Sequence, residues 1–179
     1  MENVIIPDDL IEQDNSYALI TYIILQTTLR PGNGHVSIAP EWVGKVLRYE
    51  IPLNSKKREK INNIFKCLVE LGYLYKEDRL YYVDTNLFYH YSTFMSCSRS
   101  VFDELCCAPK LFRHYLILKD CEEKDFSLEY YANREGTSTR TITRYNRDLE
   151  ALGLIKTSAA TYNPTSGKRI ANNIYTVLN

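Results

Sequence analysis

Three arginines, Arg140, Arg144 and Arg147, are spaced i, i+4 and i+7, which places them on one face of a helix. Hydroxyl residues surround the first of them: Thr137, Ser138, Thr139, Thr141 and Thr143. A guanidinium is a planar fork of donors that matches guanine O6 and N7, or a phosphate, with two parallel hydrogen bonds. Threonine hydroxyls bind phosphate, and threonine methyls touch the methyl of thymine. The free N–H groups of a helix's first turn also suit a phosphate. Two further groups share this chemistry. Lys168 and Arg169 lie at the tip of a polar loop, 162–169, and Ser55, Lys56, Lys57, Arg58 and Lys60 open another helical stretch.

The whole chain is electrically neutral, with 22 Lys and Arg against 22 Asp and Glu. The distribution is uneven. Residues 1–90 carry 10 basic and 12 acidic residues, and residues 91–179 carry 12 and 10. Within 134–169 there are seven basic residues and three acidic ones, a local excess of four positive charges. A basic face of this kind is what phosphate binding requires, and it need not show in the net charge.

The elements that must position these residues follow from apolar spacing. Tyr17–Leu29 reads as a helix, His35–Ile38 as a short strand, and Pro40 opens a helix through Leu47. Over Asn54–Leu71 the residues Ile61, Ile64, Phe65, Leu68 and Leu71 form one stripe, stopped by Gly72. Strands are expected at Tyr73–Lys76 and Leu80–Val83. The second half repeats the order: a helix from Pro109 through Leu118, a short strand or turn at Phe126–Leu128, and a helix at Glu129–Arg134. After a tight turn at 135–137, Ser138 is a good N-cap for a helix to Leu152, stopped by Gly153. Ile142, Tyr145, Leu149 and Leu152 are its expected inward stripe. Strands at Leu154–Thr157 and Ile174–Leu178 flank the polar loop. Between the halves, Asp84–Ser100 reads as an aromatic, serine-rich connector, followed by a short helix through Cys106.

Other chemistries find no support. His35, His90 and His114 lie far apart in sequence, without carboxylate or cysteine neighbours at ligand spacing. There is no Gly-rich phosphate loop and no dinucleotide fingerprint. The five cysteines, Cys67, Cys97, Cys106, Cys107 and Cys121, are odd in number and lack the C-x2-C spacing, so reduced and mostly buried thiols are expected. Neither an enzyme, a metal nor a cofactor is expected. No apolar run approaches 18 residues, and the acidic N-terminal segment does not read as a secretion signal, so a cytoplasmic protein without a membrane span is expected.

The segment 126–157, followed by 167–177, resembles winged helix-turn-helix domains of bacterial, phage and plasmid replication proteins and regulators. Ser138, Arg140, Thr141, Ile142, Arg144, Leu149, Glu150, Leu152, Gly153, Leu154 and Ile155 match the group's helix-and-strand pattern. Asn173, Tyr175 and Thr176 match its closing strand. The likeness spans roughly 110–179, and the first half resembles the same fold more loosely. Glu135, beside the turn, departs from the pattern and is expected to weaken phosphate binding locally.

The resemblance implies an α+β fold, mainly α with small β-hairpin wings, as two winged-helix domains in tandem. They would span 1–86 and 101–179, joined by a connector at 87–100. It also implies double-stranded DNA as partner, a role in replication initiation, and contacts with replication proteins such as a helicase or its loader. Ser138–Arg147 would enter the major groove, with Thr137 beside them among the DNA contacts, while Lys168 and Arg169 grip flanking phosphate or minor groove. A transcriptional regulator on the same fold, and a protein–protein adaptor without DNA binding, remain alternatives. Both a monomer and a homodimer are compatible with the sequence.

Overall fold

A computed structural model of the chain describes residues 3–29, 34–49, 52–85, 93–122, 126–158 and 174–178. It is an α+β structure in which helices predominate and the described strands form three small antiparallel sheets. The chain divides into two units, 1–109 and 110–179.

The first unit is built around α2 (Ser16–Thr28), which is apolar on every side. Ala18, Leu19, Ile20, Tyr22, Ile23 and Leu25 are all buried, as expected of a helix with no polar face. Asn15 caps it by accepting from the Ala18 N–H. Next come β2 (His35–Ile38), α3 (Pro40–Val46) and α4 (Ser55–Glu70), then β3 (Tyr75–Glu77) and β4 (Leu80–Asp84). The three strands pair in the order β2-β4-β3, with His35 opposite Asp84 and Tyr75 opposite Tyr82. Ile61, Ile64, Phe65 and Leu68 of α4 are buried, each contributing about 1.5–3 kcal/mol through loss of water contact. Leu71, expected in that stripe, is the C-cap and only half-buried.

Two features depart from the sequence reading. The N-terminal segment forms β1 (Asn3–Pro7) and α1 (Asp8–Glu12), and β1 pairs antiparallel with β5 (Phe94–Ser98). Part of the expected connector is therefore a strand of the first unit, and α5 (Arg99–Leu105) packs on the same pair. The boundary consequently falls after Pro109, not at 86 and 101. Redrawn there, the first unit holds 11 basic and 14 acidic residues and the second 11 and 8, so net charges are −3 and +3.

The second unit contains α6 (Pro109–Asp120, from Lys110 onward), α7 (Leu128–Arg134) and α8 (Thr139–Ala151). A hairpin of β6 (Ile155–Ser158) and β7 (Ile174–Val177) completes it. The expected strand or turn at Phe126–Leu128 is not a strand: Ser127 is the N-cap of α7, accepting from the Tyr130 N–H. At the hairpin's outer edge the Val177 N–H donates to the Glu122 carboxylate at 3.2 Å. A side chain thus takes one position that a third strand fills in the first unit. Cys97 and Cys121 are buried, but Cys67 and Cys106 are half-buried and Cys107 is exposed, so the thiols are less enclosed than expected. Among the described residues no helix is long and apolar enough to cross a membrane.

Both long helices of the two halves stop in the same way. After α4, Gly72 N–H donates to the Val69 carbonyl at 3.0 Å and Tyr73 N–H to that of Leu68 at 2.8 Å. After α8, Gly153 N–H donates to Glu150 and Leu154 N–H to Leu149, each at 3.0 Å. These crossed bonds satisfy carbonyls that the helix leaves unpaired, and they require a left-handed residue, here at φ +79° and +69°. No atom crowds the Cα of either glycine, so backbone conformation, not space, selects the residue. Gly153→Ala is therefore expected to cost about 1–2 kcal/mol in unfolding free energy, and Gly153→Asn less. Chemical denaturation checks this, and an unchanged alanine variant would contradict it.

Candidate nucleic-acid interface

The α8 helix begins where the chain turns sharply. Following α7, Gly136 N–H donates to Asn133 and Thr137 N–H to Ala132, and Ser138 then caps α8 by accepting from the Thr141 N–H at 3.3 Å. This geometry fixes the direction in which the helix leaves. Arg140, Thr143, Arg144 and Arg147 are exposed on it, together with the capping Ser138, while Thr137, Thr139 and Thr141 are half-buried. Arg140, Thr141, Thr143, Arg144 and Arg147 line one surface depression of about 490 Å³. The predicted basic face is thus one continuous surface. Arg144 lies 5.3 Å from the centre of the Tyr145 ring, and Arg147 lies 3.7 Å from the Asp148 carboxylate with its side chain 76% exposed. An ion pair that open to water holds the arginine only weakly.

The hydroxyls are more committed than the sequence suggests. Thr143 Oγ1 donates to the Thr139 carbonyl at 2.9 Å, and Ser138 and Thr141 hydroxyls lie 3.0 Å apart. As held here, Thr143 offers a partner its methyl and oxygen lone pairs, while the arginines retain their donors.

The inward face differs from expectation in an informative way. Ile142 and Leu149 are buried, but Tyr145 is half-buried and Leu152, at the C-cap, is 44% exposed. The position between the two buried apolar residues belongs to Asn146, which is itself buried. Its amide Oδ1 accepts from His114 Nε2 of α6 at 2.6 Å, and the other ring nitrogen, Nδ1, lies 2.5 Å from Glu135 Oε1. His114 and Glu135 side chains are 0% and 4% exposed. One residue from each of α6, α8 and the end of α7 therefore meets in a closed polar network. Tyr131 stands edge-on to His114, and burial, then Cys121 and Tyr175, push its phenol well above the ordinary range, so it remains a neutral packing group.

Glu135 was expected to oppose phosphate beside the turn. Its carboxylate is instead withdrawn into the interior, because the histidine there gives it a partner that compensates for burial. Arg134 is also removed from the basic count, since it pairs with Asp120 at 2.8 Å and donates to Cys121 Sγ at 3.1 Å. Glu150 is exposed, yet it accepts from the Thr157 N–H at 3.2 Å and ties α8 to β6. A polar residue in core register, Asn146 between Ile142 and Leu149, is the signal that could have revealed the network.

In the first unit Asn54 caps α4 by accepting from the Lys57 N–H at 2.9 Å. Ser55, Lys56, Arg58 and Lys60 are exposed and Lys57 is half-buried. Several of these cations have protein partners. Arg58 donates to the Leu53 carbonyl and pairs with Glu41 at 3.5 Å, and Lys60 sits 4.5 Å over the Tyr17 ring. Lys168 and Arg169, with the loop at 162–169 and Asn173, lie outside the described residues. No protein-family model matches the chain, and no curated protein matches it.

The buried network predicts a sharp division of mutational effects. Glu135→Ala leaves an enclosed imidazole without its carboxylate and is expected to cost on the order of 3 kcal/mol. Arg140→Ala, on the exposed face, is expected to change stability by less than about 0.5 kcal/mol. Denaturant titration of both variants decides this, and comparable losses would refute the assignment of faces.

Proposed function

We propose that the chain is a double-stranded DNA-binding protein of two winged-helix units, with α8 as the helix that enters the major groove. The observation that carries this reading is the α8 surface. Three arginines share one exposed depression with Thr141 and Thr143, while the nearby Glu135 is buried against His114. The net charge of +3 on the second unit points the same way. The fold reading draws support from the first unit, where helix, strand, helix, helix and hairpin follow in order and the first strand pairs with the last. In the second unit the helices and hairpin recur.

In this reading Arg144, near the middle of the exposed face, reads a base edge, and Arg140 and Arg147 hold phosphates on either side. Lys168 and Arg169, from the sequence of the 162–169 loop, are added to this reading as cations for flanking phosphate or the minor groove. The role that the sequence resemblance implies is replication initiation of a plasmid, phage or other mobile element, with a helicase or its loader as protein partner. A transcriptional regulator would use the same DNA chemistry. Recovery of the preferred site from an origin supports replication, and recovery from promoters supports regulation. An adaptor reading draws on the first unit's charge of −3 and the Glu77-Asp78 pair in its hairpin.

Fluorescence anisotropy against duplex DNA across a salt series tests the proposal. Affinity should fall steeply with salt, and Arg144→Ala should lose about 1–3 kcal/mol on the preferred sequence and less on others. Arg140→Ala should weaken all duplexes alike and lower the salt slope by about one. Binding that survives the Arg140→Ala, Arg144→Ala double variant unchanged would remove α8 from the interface.

A further inference from the structure

The lysines that open α4 do not repeat the arrangement on α8. Lys56, Lys57 and Lys60 line a depression of about 480 Å³ with Tyr49, Asn54, Glu59 and Asn63. Where α8 offers arginine and threonine, this groove offers lysine, amide and an aromatic ring. Lysine is a point charge on a flexible stem, and follows a phosphate without imposing the fixed geometry of a guanidinium. A tyrosine face accepts any base by stacking, provided the base is free of its own duplex.

Tyr49 has no polar reason for its position. Its hydroxyl is buried and has no hydrogen-bond partner among the described residues. Lys57 Nζ lies 5.8 Å from the ring centre, at the outer limit of a cation–π contact.

The surroundings disfavour a duplex here. Glu59 lines the groove itself, and Glu41 stands beside Arg58. A duplex would bring a second phosphate strand toward such carboxylates, whereas a single strand brings only one and can follow the lysines.

We infer that this groove of the first unit binds single-stranded DNA. Lys56, Lys57 and Lys60 hold consecutive phosphates, an unpaired base lies on Tyr49, and the Asn63 amide meets its edge. The inference deepens the DNA-binding reading, on which it rests for its context, but its site shares no residue with α8. A chain with both sites holds duplex DNA through one unit and an exposed strand through the other, as strand opening beside a bound duplex requires.

The test titrates the full chain at low salt with a labelled oligo-dT, a duplex of equal length and dTMP. Anisotropy reads binding, and the fluorescence of Trp42, the chain's single tryptophan, in α3 of this unit, reads its location. Oligo-dT should bind and change the Trp42 signal. Lys57→Ala with Lys60→Ala should weaken it at least about ten-fold, and Tyr49→Ala about five-fold or more. Tyr49→Phe, which keeps the ring and removes the unsatisfied hydroxyl, should bind oligo-dT as the parent does and be no less stable. The Arg140→Ala, Arg144→Ala variant should keep oligo-dT binding while losing the duplex, so the two sites fail separately. Absence of oligo-dT binding, or equal binding by the lysine variants, would overturn the inference. Loss of oligo-dT binding in the α8 variant would overturn it too, as would dTMP binding as tight as the oligomer.

Discussion

A histidine with no access to water holds the second unit's helices in register. His114 meets Glu135 at one ring nitrogen and Asn146 at the other, and all three side chains are buried. Each would be costly to enclose alone, and each is tolerable because the other two satisfy it. Apolar contacts such as Ile142 and Leu149 provide cohesion, but they tolerate sliding and rotation better than directional hydrogen bonds do. The network fixes the rotation of α8 about its axis, and so decides that Arg140, Thr143, Arg144 and Arg147 face outward. It also removes the one carboxylate beside the turn from the surface. Stability and exposed charge therefore have a common cause.

The same local devices build the corresponding helices of both halves, although the residues differ. Asn54 and Ser138 cap the starts, and Gly72 and Gly153 close the ends through crossed hydrogen bonds. Just beyond the C-caps of α3 and α7, Arg48 and Gly136 both lie in the left-handed region, at φ +56° and +62°. In sequence the next N-cap is further away in the first unit, at Asn54 rather than Ser138. The surfaces then diverge. Arg58 is engaged by Leu53 and Glu41 and Lys60 lies over Tyr17, whereas the α8 arginines have weak or no described ion pairs. One helical grammar thus supports two different chemistries.

What was legible in the sequence is what depends on nearby residues. The helices from Ser55 and Thr139, the Ser138 cap, the glycine stops and the hairpin strands follow from spacing within a few turns, whereas Asn54, read as part of its helix, is in fact its cap. The arginine face of α8 was legible for the same reason. Pairing of Asn3–Pro7 with Phe94–Ser98 was not, because neither segment signals the other across the whole first unit. The fates of Arg134 and Glu135 were likewise hidden. Charge counting treats them as a surface pair, but Asp120 and His114, distant in sequence, draw one into an ion pair and the other into the interior. Leu152, at the C-cap, is exposed rather than inward, and Asn146 was missed because the apolar stripe was read without allowing a buried amide in its register. The half-buried Tyr145 does turn its ring toward His114, 5.5 Å away.

The most direct test of the central claim is an NMR titration of the full chain with duplex DNA, following backbone amide shifts. The largest changes are expected at the outward residues Ser138, Arg140, Thr143, Arg144 and Arg147, with smaller ones at the buried Ile142, Asn146 and Leu149, whose interior packing stays intact. Shifts that leave this helix untouched while others move would contradict it.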